Sequence, residues 1–122
     1  MEIQKISITE KLSKINDHWN PRIVGELNGQ HIKLVKAKGE FDWHKHDNED
    51  EMFMVIKGEF EMELRDKTLL IHEDEFIIIP KGVEHRPVVK EEVHIMLFEP
   101  ASTINTGDNL DSNLTQKKKE WV

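Results

Sequence analysis

The sequence contains no cysteine among its 122 residues. This absence excludes disulfide bonds, thiol catalysis and iron–sulfur clusters, because all of them need cysteine sulfur. Any chemistry must therefore come from histidine, carboxylates, lysine, arginine or a bound metal ion.

Long apolar runs and an excess of positive charge are also missing. The longest apolar stretches, such as Phe76–Ile79, have only a handful of residues, whereas a membrane-spanning helix needs about 20. Lysine and arginine number 17 against 24 aspartates and glutamates, which gives a net charge of −7 and disfavours binding to nucleic acid phosphates. The amino-terminal residues show no secretory signal pattern. We therefore expect a cytoplasmic protein with neither a membrane nor a nucleic acid as partner.

The length suits one domain, which the pattern divides into an N-terminal helical segment (residues 1–20), a β-domain (21–100) and a polar C-terminal tail (101–122). In the first segment, Ser7-Ile8-Thr9-Glu10 has the spacing of a capping box. This motif predicts a short helix over Ser7–Ile15. Its apolar residues share one face, which we expect to dock onto the rest of the protein or onto a second subunit: Ile8, Leu12 and Ile15.

Short extended runs fill residues 22–98 and predict about nine strands. The first two are joined by Asn28-Gly29, the dipeptide that best supplies the two positive φ angles of a two-residue hairpin turn. The spacing predicts an all-β sandwich or barrel, and the missing crossover helices exclude an α/β fold. The main runs are Arg22–Leu27, Gln30–Ala37, Met52–Ile56, Phe60–Leu64, Thr68–His72, Phe76–Ile79, Val88–Val89 and Val93–Phe98.

A polar stretch over residues 39–51 contains two histidines, His44 and His46, that are two positions apart. In an extended chain both side chains point to the same side, about 6.6 Å apart. Seven histidines in 122 residues give about 0.4 such pairs by chance, so the pair needs further ligands to be meaningful. Glu51 opens the next strand, with Asp50 as an alternative, and His85 follows a turn that proline and glycine force.

The spacing of these residues resembles that of the cupin superfamily. Its first motif runs Gly, several residues, His-x-His, three or four residues, Glu, six residues, Gly. The matching residues here are Gly39, His44, His46, Glu51 and Gly58, with four rather than the usual five residues between Gly39 and His44.

The second cupin motif is matched by Pro80, Gly82 and His85. Asp74 stands where the motif begins with Gly, and Val89 stands where it ends with Asn. Asp tolerates the left-handed backbone that Gly adopts, and the second departure leaves the metal ligands of the motif in place. The two motifs span residues 39–89, and the strand pattern extends the resemblance to about residue 98.

The resemblance implies a jelly-roll β-barrel that holds one divalent metal ion through His44, His46, Glu51 and His85. Three imidazoles and one carboxylate suit Fe, Mn, Ni, Co, Cu or Zn, and the set is too rich in nitrogen for Mg or Ca. Four protein ligands on a five- or six-coordinate ion leave one or two positions for water, substrate or dioxygen. An open position is typical of a catalytic rather than a structural site.

The resemblance also sets the expected function. Small cupins near the sugar-isomerase branch use the metal as a Lewis acid, and cupin dioxygenases use iron to activate dioxygen. We therefore expect a metal-dependent enzyme of the isomerase or lyase type, or a dioxygenase, that acts on a small organic molecule. The alternative is a non-catalytic small-molecule or metal-binding module. No general base is assigned, and Glu40, His94 and Arg86 are left open as pocket residues.

The strand Met52–Ile56 is apolar on both faces. One face can pack inside a barrel, but the other must be covered by something else. Many small cupins form dimers through the outer face of one sheet, so the resemblance implies a homodimer here.

Overall fold

The computed structural model describes residues 2–122, and they form one short helix and eight strands. This content confirms the predicted all-β class with a short N-terminal helix. The elements are α1 (Ile8–Ser13), β1 (Arg22–Leu27), β2 (Gln30–Glu40), β3 (Glu51–Lys57), β4 (Glu59–Leu64), β5 (Thr68–His72), β6 (Phe76–Ile79), β7 (His85–Pro100) and β8 (Glu120–Trp121).

Helix α1 begins where the capping box predicts, because the Ser7 side chain accepts a hydrogen bond from the Glu10 backbone N–H. It ends earlier than the predicted Ile15, since Lys14 is the C-terminal cap. Leu12 and Ile15 are nonetheless buried, in an apolar cluster with residues of β1 and β2. The helix therefore covers the outer face of these strands.

Strand β7 organises the sheet by pairing antiparallel with β2, β3 and β4. The two runs predicted at Val88–Val89 and Val93–Phe98 are parts of this one 16-residue strand. The pairing of β2 with β7 shifts register between Ala37 and Gly39 of β2. This shift lets β7 continue through the polar residues that separate the two runs. The result is a single connected sheet with open edges rather than a fully hydrogen-bonded barrel.

The β1–β2 hairpin turns at Asn28 and Gly29, whose φ angles are 48° and 77°. Both are positive, as the sequence predicts for this turn. The turn sets the register in which Leu27 pairs with Gln30. It thereby places every second side chain of β2 on the inner face of the sheet.

The interior is apolar over most of its length and polar at one end. The apolar part contains residues of β2 to β7, and its members are Val35, Ala37, Phe53, Val55, Phe60, Met62, Ile71, Ile79, Val89, Val93, Ile95 and Leu97. At the polar end, buried histidines and charged side chains take the same inward positions. That change in the interior marks the candidate site.

Residues 101–119 follow β7 and pack across the polar end of the sheet. Thr103 and Thr106 are completely buried, and Thr106 shares a hydroxyl hydrogen bond of 2.6 Å with Thr115. Gln116 donates to Asn20 and to the Pro21 carbonyl. Among the described residues, the only helix is α1, which is far too short to span a bilayer.

Candidate metal centre

Four buried side chains, from His44, His46, Glu51 and His85, come together at the polar end of the interior. One ligand atom from each lies within 4.8 Å of all the others. His44 and His85 are held opposite each other by two backbone hydrogen bonds, of 3.1 and 2.9 Å. Glu51 is the first residue of β3 and His85 the first of β7, so regular strands fix both of them. The structure thus brings together all four residues that the motifs single out.

Backbone carbonyls orient two of the imidazole rings. His44 Nδ1 lies 2.8 Å from the Asp42 carbonyl oxygen, and His85 Nδ1 lies 2.9 Å from that of Val83. A carbonyl can only accept a hydrogen bond, so Nδ1 carries the proton in both rings. The Nε2 atoms are then left with free lone pairs. This arrangement is typical of histidines that bind metals.

Four buried atoms of these side chains have no hydrogen-bond partners among the described residues. They are both ring nitrogens of His46, Oε1 of Glu51 and Nε2 of His85. His46 Nε2 and Glu51 Oε1 are only 3.2 Å apart, and His85 Nε2 is 3.7 Å from the same oxygen. Buried polar atoms without partners are costly. A single divalent cation would satisfy the ligand atom of each residue at once, so the donor set fits a metal ion.

The protonation states of His44 and Glu51 also suit a metal, whereas the contact with Glu51 raises the pKa of His46 in spite of its burial. Burial, reinforced by the nearby His85, lowers the pKa of His44 to about 4. Burial would raise the pKa of Glu51, but the adjacent imidazoles of His46 and His85 outweigh it and lower that pKa to about 2. At neutral pH His44 is therefore neutral and Glu51 ionised, which are the forms that coordinate metals.

Asp50, the alternative to Glu51, does not face the centre. Its carboxylate is exposed and accepts a hydrogen bond of 2.8 Å from the Lys81 backbone N–H. It thereby stabilises the turn before His85. Alternation along β3 explains the difference, because Asp50 and Glu51 point to opposite sides.

The three side chains left open by the sequence lie away from the centre. Arg86 is bound by Glu63, with a shortest N–O distance of 2.7 Å, and lies 3.6 Å from the exposed Glu40. His94 contacts Glu92 at 3.1 Å on the outer side of the sheet. None of the three lines the cavity beside the metal ligands.

Sequence reasoning missed a buried ion pair next to the centre. Lys33 Nζ and Glu99 Oε1 are 3.9 Å apart, and both side chains are almost completely inaccessible. Glu99 is one residue beyond the Met52–Phe98 pair, which places it across from Glu51. Burial, followed by the charge of Glu51, raises the pKa of Glu99 well above its ordinary value, while Lys33 opposes the rise.

An apolar cavity of about 40 Å³ adjoins two of the ligands, His44 and Glu51. Its wall comes from the loop before β1, from β2, β3 and β7, and from the segment after β7. The other lining residues are Trp19, Pro21, Val35, Phe41, Phe53, Pro87, Ile95, Leu97 and Asn105. A separate depression on the His46 side is bordered by the carboxylates of Asp47, Glu49 and Asp108.

The segment after β7 closes over the centre at Gly107. A side chain there would overlap the carbonyl oxygen of Lys45 and approach the His44 ring. Asp108 secures this approach, since its backbone N–H donates to the Lys45 carbonyl and its carboxylate accepts from the Lys45 N–H, each at 3.0 Å. The sequence indicates the turn at residues 105–108 but not its position over the metal ligands.

Comparison with known proteins assigns the class of protein. The family model of the cupin domain matches residues 31–99 of this chain. That stretch is more than half of the 122 residues and includes all four clustered ligands. The chain therefore belongs to the cupin domain family, as the motifs predict.

Solved structures support the same fold. A cupin-2 domain containing protein from Shewanella frigidimarina is 45% identical, with a TM-score of 0.77 over 78% of this chain and 93% of that one. Protein NMB1881 from Neisseria meningitidis is 28% identical, with a TM-score of 0.74 over 80% of this chain and 100% of that one. These similarities confirm a cupin jelly roll, here with an open sheet.

A curated relative is similar over a shorter stretch. The uncharacterized protein YdbB of Bacillus subtilis is 38% identical over 64 residues, which are 52% of this chain and 57% of that protein. The chain thus spans little more than half the length of this relative.

Proposed function

We propose that this protein is a metal-dependent enzyme that acts on a small organic substrate. It binds one divalent transition metal ion, which is Fe, Mn, Ni, Co, Cu or Zn. The proposed ligands are His44, His46, Glu51 and His85. One observation carries the proposal: the four side chains are buried with their ligand atoms close together, and those of His46, Glu51 and His85 have buried atoms without hydrogen-bond partners. In this cupin-domain protein, a cavity also reaches two of the four residues, His44 and Glu51.

A bound metal would supply Lewis-acid polarisation of a substrate oxygen, or activation of dioxygen in a redox metal. The chain's own contribution is to fix the ligands. The carbonyls of Asp42 and Val83 hold the rings of His44 and His85 in one tautomer, and Glu51 supplies a negative charge that lowers the cost of placing a cation in the interior. Both an isomerase or lyase and a dioxygenase are compatible with this arrangement.

A non-catalytic binding module is the second candidate. It is favoured by one specific observation: apart from the ligands His44 and Glu51, none of the described residues that line the cavity has an acidic or basic side chain. An isomerase needs a base within hydrogen-bond reach of the proton that it moves. Turnover of any small substrate by the metal-loaded protein would decide in favour of an enzyme.

Metal content tests the proposed site. Protein purified without chelator or nickel resin is expected to contain about one transition metal ion per chain by elemental mass spectrometry. His46→Ala should lose this metal with an unchanged circular dichroism spectrum. His72→Ala is the matched control, because His72 is exposed and lies on the outer strand β5. An unchanged stoichiometry in His46→Ala would refute the ligand assignment.

We also propose that a second copy of the chain covers the outer face of β3, β6 and β7. In this face Phe76 pairs with Met54, and Ile78 pairs with Met52. Phe76 and Ile78 are 60% and 54% exposed, at the edge strand β6. A contiguous apolar patch on a sheet edge is typical of a protein interface. A cytoplasmic location stays a prediction.

A further inference from the structure

We propose that Trp19 is a specificity-determining residue of the metal centre, and that it limits the ligand in the adjoining cavity to a small, uncharged and largely apolar molecule or group. The inference rests on the proposed function and narrows it, since it names the class of ligand that the same site accepts. Size, polarity and backbone conformation support it independently.

The cavity offers almost no polar partner to a ligand. No lysine or arginine is found among the described residues that line it. Asn105 has both of its donors in use, because its amide nitrogen donates to the carbonyls of Trp19 and Leu114, and its oxygen already accepts from the Gln116 N–H. A phosphate, carboxylate or sugar group that lies in this cavity, away from the metal, would therefore lose its water without gaining hydrogen bonds in return.

The indole of Trp19 sets the size of the cavity. It packs on Phe41 with a centroid distance of 4.8 Å, and Phe41 in turn contacts the His44 ring at 5.3 Å. The space beside the ligands, about 40 Å³ and partly open to solvent, is much smaller than the roughly 150 Å³ of an apolar cavity that admits benzene. Only a ligand of a few non-hydrogen atoms fits beside the metal ligands while Trp19 stays in place.

The backbone at Trp19 is held in an unfavourable conformation. Its φ of 60° lies in the left-handed region, which a bulky residue rarely adopts. Two hydrogen bonds of 2.9 Å maintain it, from the backbone N–H to the Lys36 carbonyl and from the indole Nε1 to the Lys38 carbonyl. Strain of this kind persists where the side chain must be placed for function.

Trp19 also lies outside the part of the chain that the family shares. The cupin domain match covers residues 31–99, whereas Trp19, Pro21 and Asn105 come from the segments on either side. The common fold thus supplies the metal ligands, and the flanking segments of this chain supply the outer wall of the cavity. The flanking segments thus contribute to ligand choice together with the apolar residues of the common fold.

Trp19→Gly tests this role, because glycine adopts a positive φ without strain while the indole is removed. The readout is binding of benzene and xenon to the zinc-loaded protein, followed by NMR shifts of residues around the cavity. The wild type should bind xenon and reject benzene. Trp19→Gly should bind benzene at least about tenfold more tightly than the wild type, a change that needs only roughly 60 Å² of additional apolar contact.

Trp121→Ala is the matched control, since Trp121 is 60% exposed on β8, and it should behave like the wild type. Equal benzene binding by the wild type and Trp19→Gly, or binding of glucose in the wild-type cavity, overturns the inference. Trp19→Asn repeats the test if the glycine variant does not fold, because asparagine also tolerates a positive φ.

Metal stoichiometry separates this inference from the proposed function. Both Trp19 variants should retain one zinc ion per chain, because Trp19 is not a ligand. A wild type that binds no metal would contradict the proposed function, while the benzene comparison in the metal-free protein would still decide the role of Trp19.

Discussion

Lys33 and Glu99 provide a sharp test of how the interior tolerates charge. Their side chains are 3% and 2% exposed, with 3.9 Å between the charged atoms. At an effective dielectric constant of about 20, that separation corresponds to an attraction of about 4 kcal/mol. The Lys33→Met substitution keeps the apolar stem of the side chain but leaves Glu99 without a cation.

Breaking a buried ion pair typically costs about 3–5 kcal/mol of folding free energy. We expect Lys33→Met to lose about 3 kcal/mol at pH 7, the lower end of that range, because Glu99 can take up a proton. Burial and the charge of Glu51 already raise the pKa of Glu99 above 4.5, and Lys33 opposes that rise. Without Lys33 this pKa is higher still.

The raised pKa of Glu99 determines how the stability loss of Lys33→Met depends on pH. A carboxyl whose pKa is raised on folding binds more protons in the folded state, so its contribution to stability grows as the pH falls from the folded pKa towards 4.5. The deficit of Lys33→Met should therefore shrink as the pH falls from above the folded pKa of Glu99. The assay is urea unfolding with a metal chelator present, so that metal binding does not contribute.

Lys38→Met is the matched control, because Lys38 lies on the same strand and is exposed. It should change stability by no more than about 0.5 kcal/mol. The double variant Lys33→Met/Glu99→Leu should recover most of the loss, since apolar replacements of buried pairs are often neutral or stabilising. A cost for Lys33→Met below about 1 kcal/mol, or a deficit that grows at lower pH, would refute the reasoning.

Three further predictions concern other parts of the chain. Gly107→Ala should cost about 3 kcal/mol in urea unfolding and Gly82→Ala about 1, because both have a positive φ but only a methyl group at Gly107 overlaps backbone and breaks hydrogen bonds; equal costs would contradict this. Asp17→Asn should cost at most about 1 kcal/mol at pH 7, and the loss should shrink as the pH falls below 3.8, because hydrogen bonds from its arginine partner lower the pKa of Asp17 from that value; a loss that does not change with pH would disprove the linkage. Ile78→Glu should convert a dimer into a monomer in size exclusion with light scattering, while Leu110→Glu, on another exposed surface, should not; a monomeric wild type would remove the basis of this prediction.

The strands and the ligand set were predictable because they depend on local patterns. Alternation of apolar residues gives strands, and Asn28-Gly29 gives the first hairpin. His44, His46 and Glu51 lie close together in sequence, so only His85 had to be placed by the motif. These signals need no knowledge of how distant segments pack.

Other features depend on packing between distant segments and were not predictable. The alternation of buried and exposed residues along β7 places Glu99 in the interior. A charged residue near the end of a strand is, however, also typical of a solvent-exposed boundary, so the sequence alone does not predict its burial. Trp19 and Asn105 are 86 residues apart and meet only in the folded chain. The burial of Thr103 and Thr106 likewise follows from a segment whose composition predicts a solvated tail.

The pairing of β7 with three earlier strands has a consequence for synthesis in the cell. His85 begins this strand and completes the ligand set, yet β2, β3 and β4 have all been translated before it. A nascent chain that ends before residue 85 therefore presents at most three of the four ligands, without the strand that joins β2, β3 and β4. Metal binding by all four residues is therefore expected to begin only after β7 has been translated.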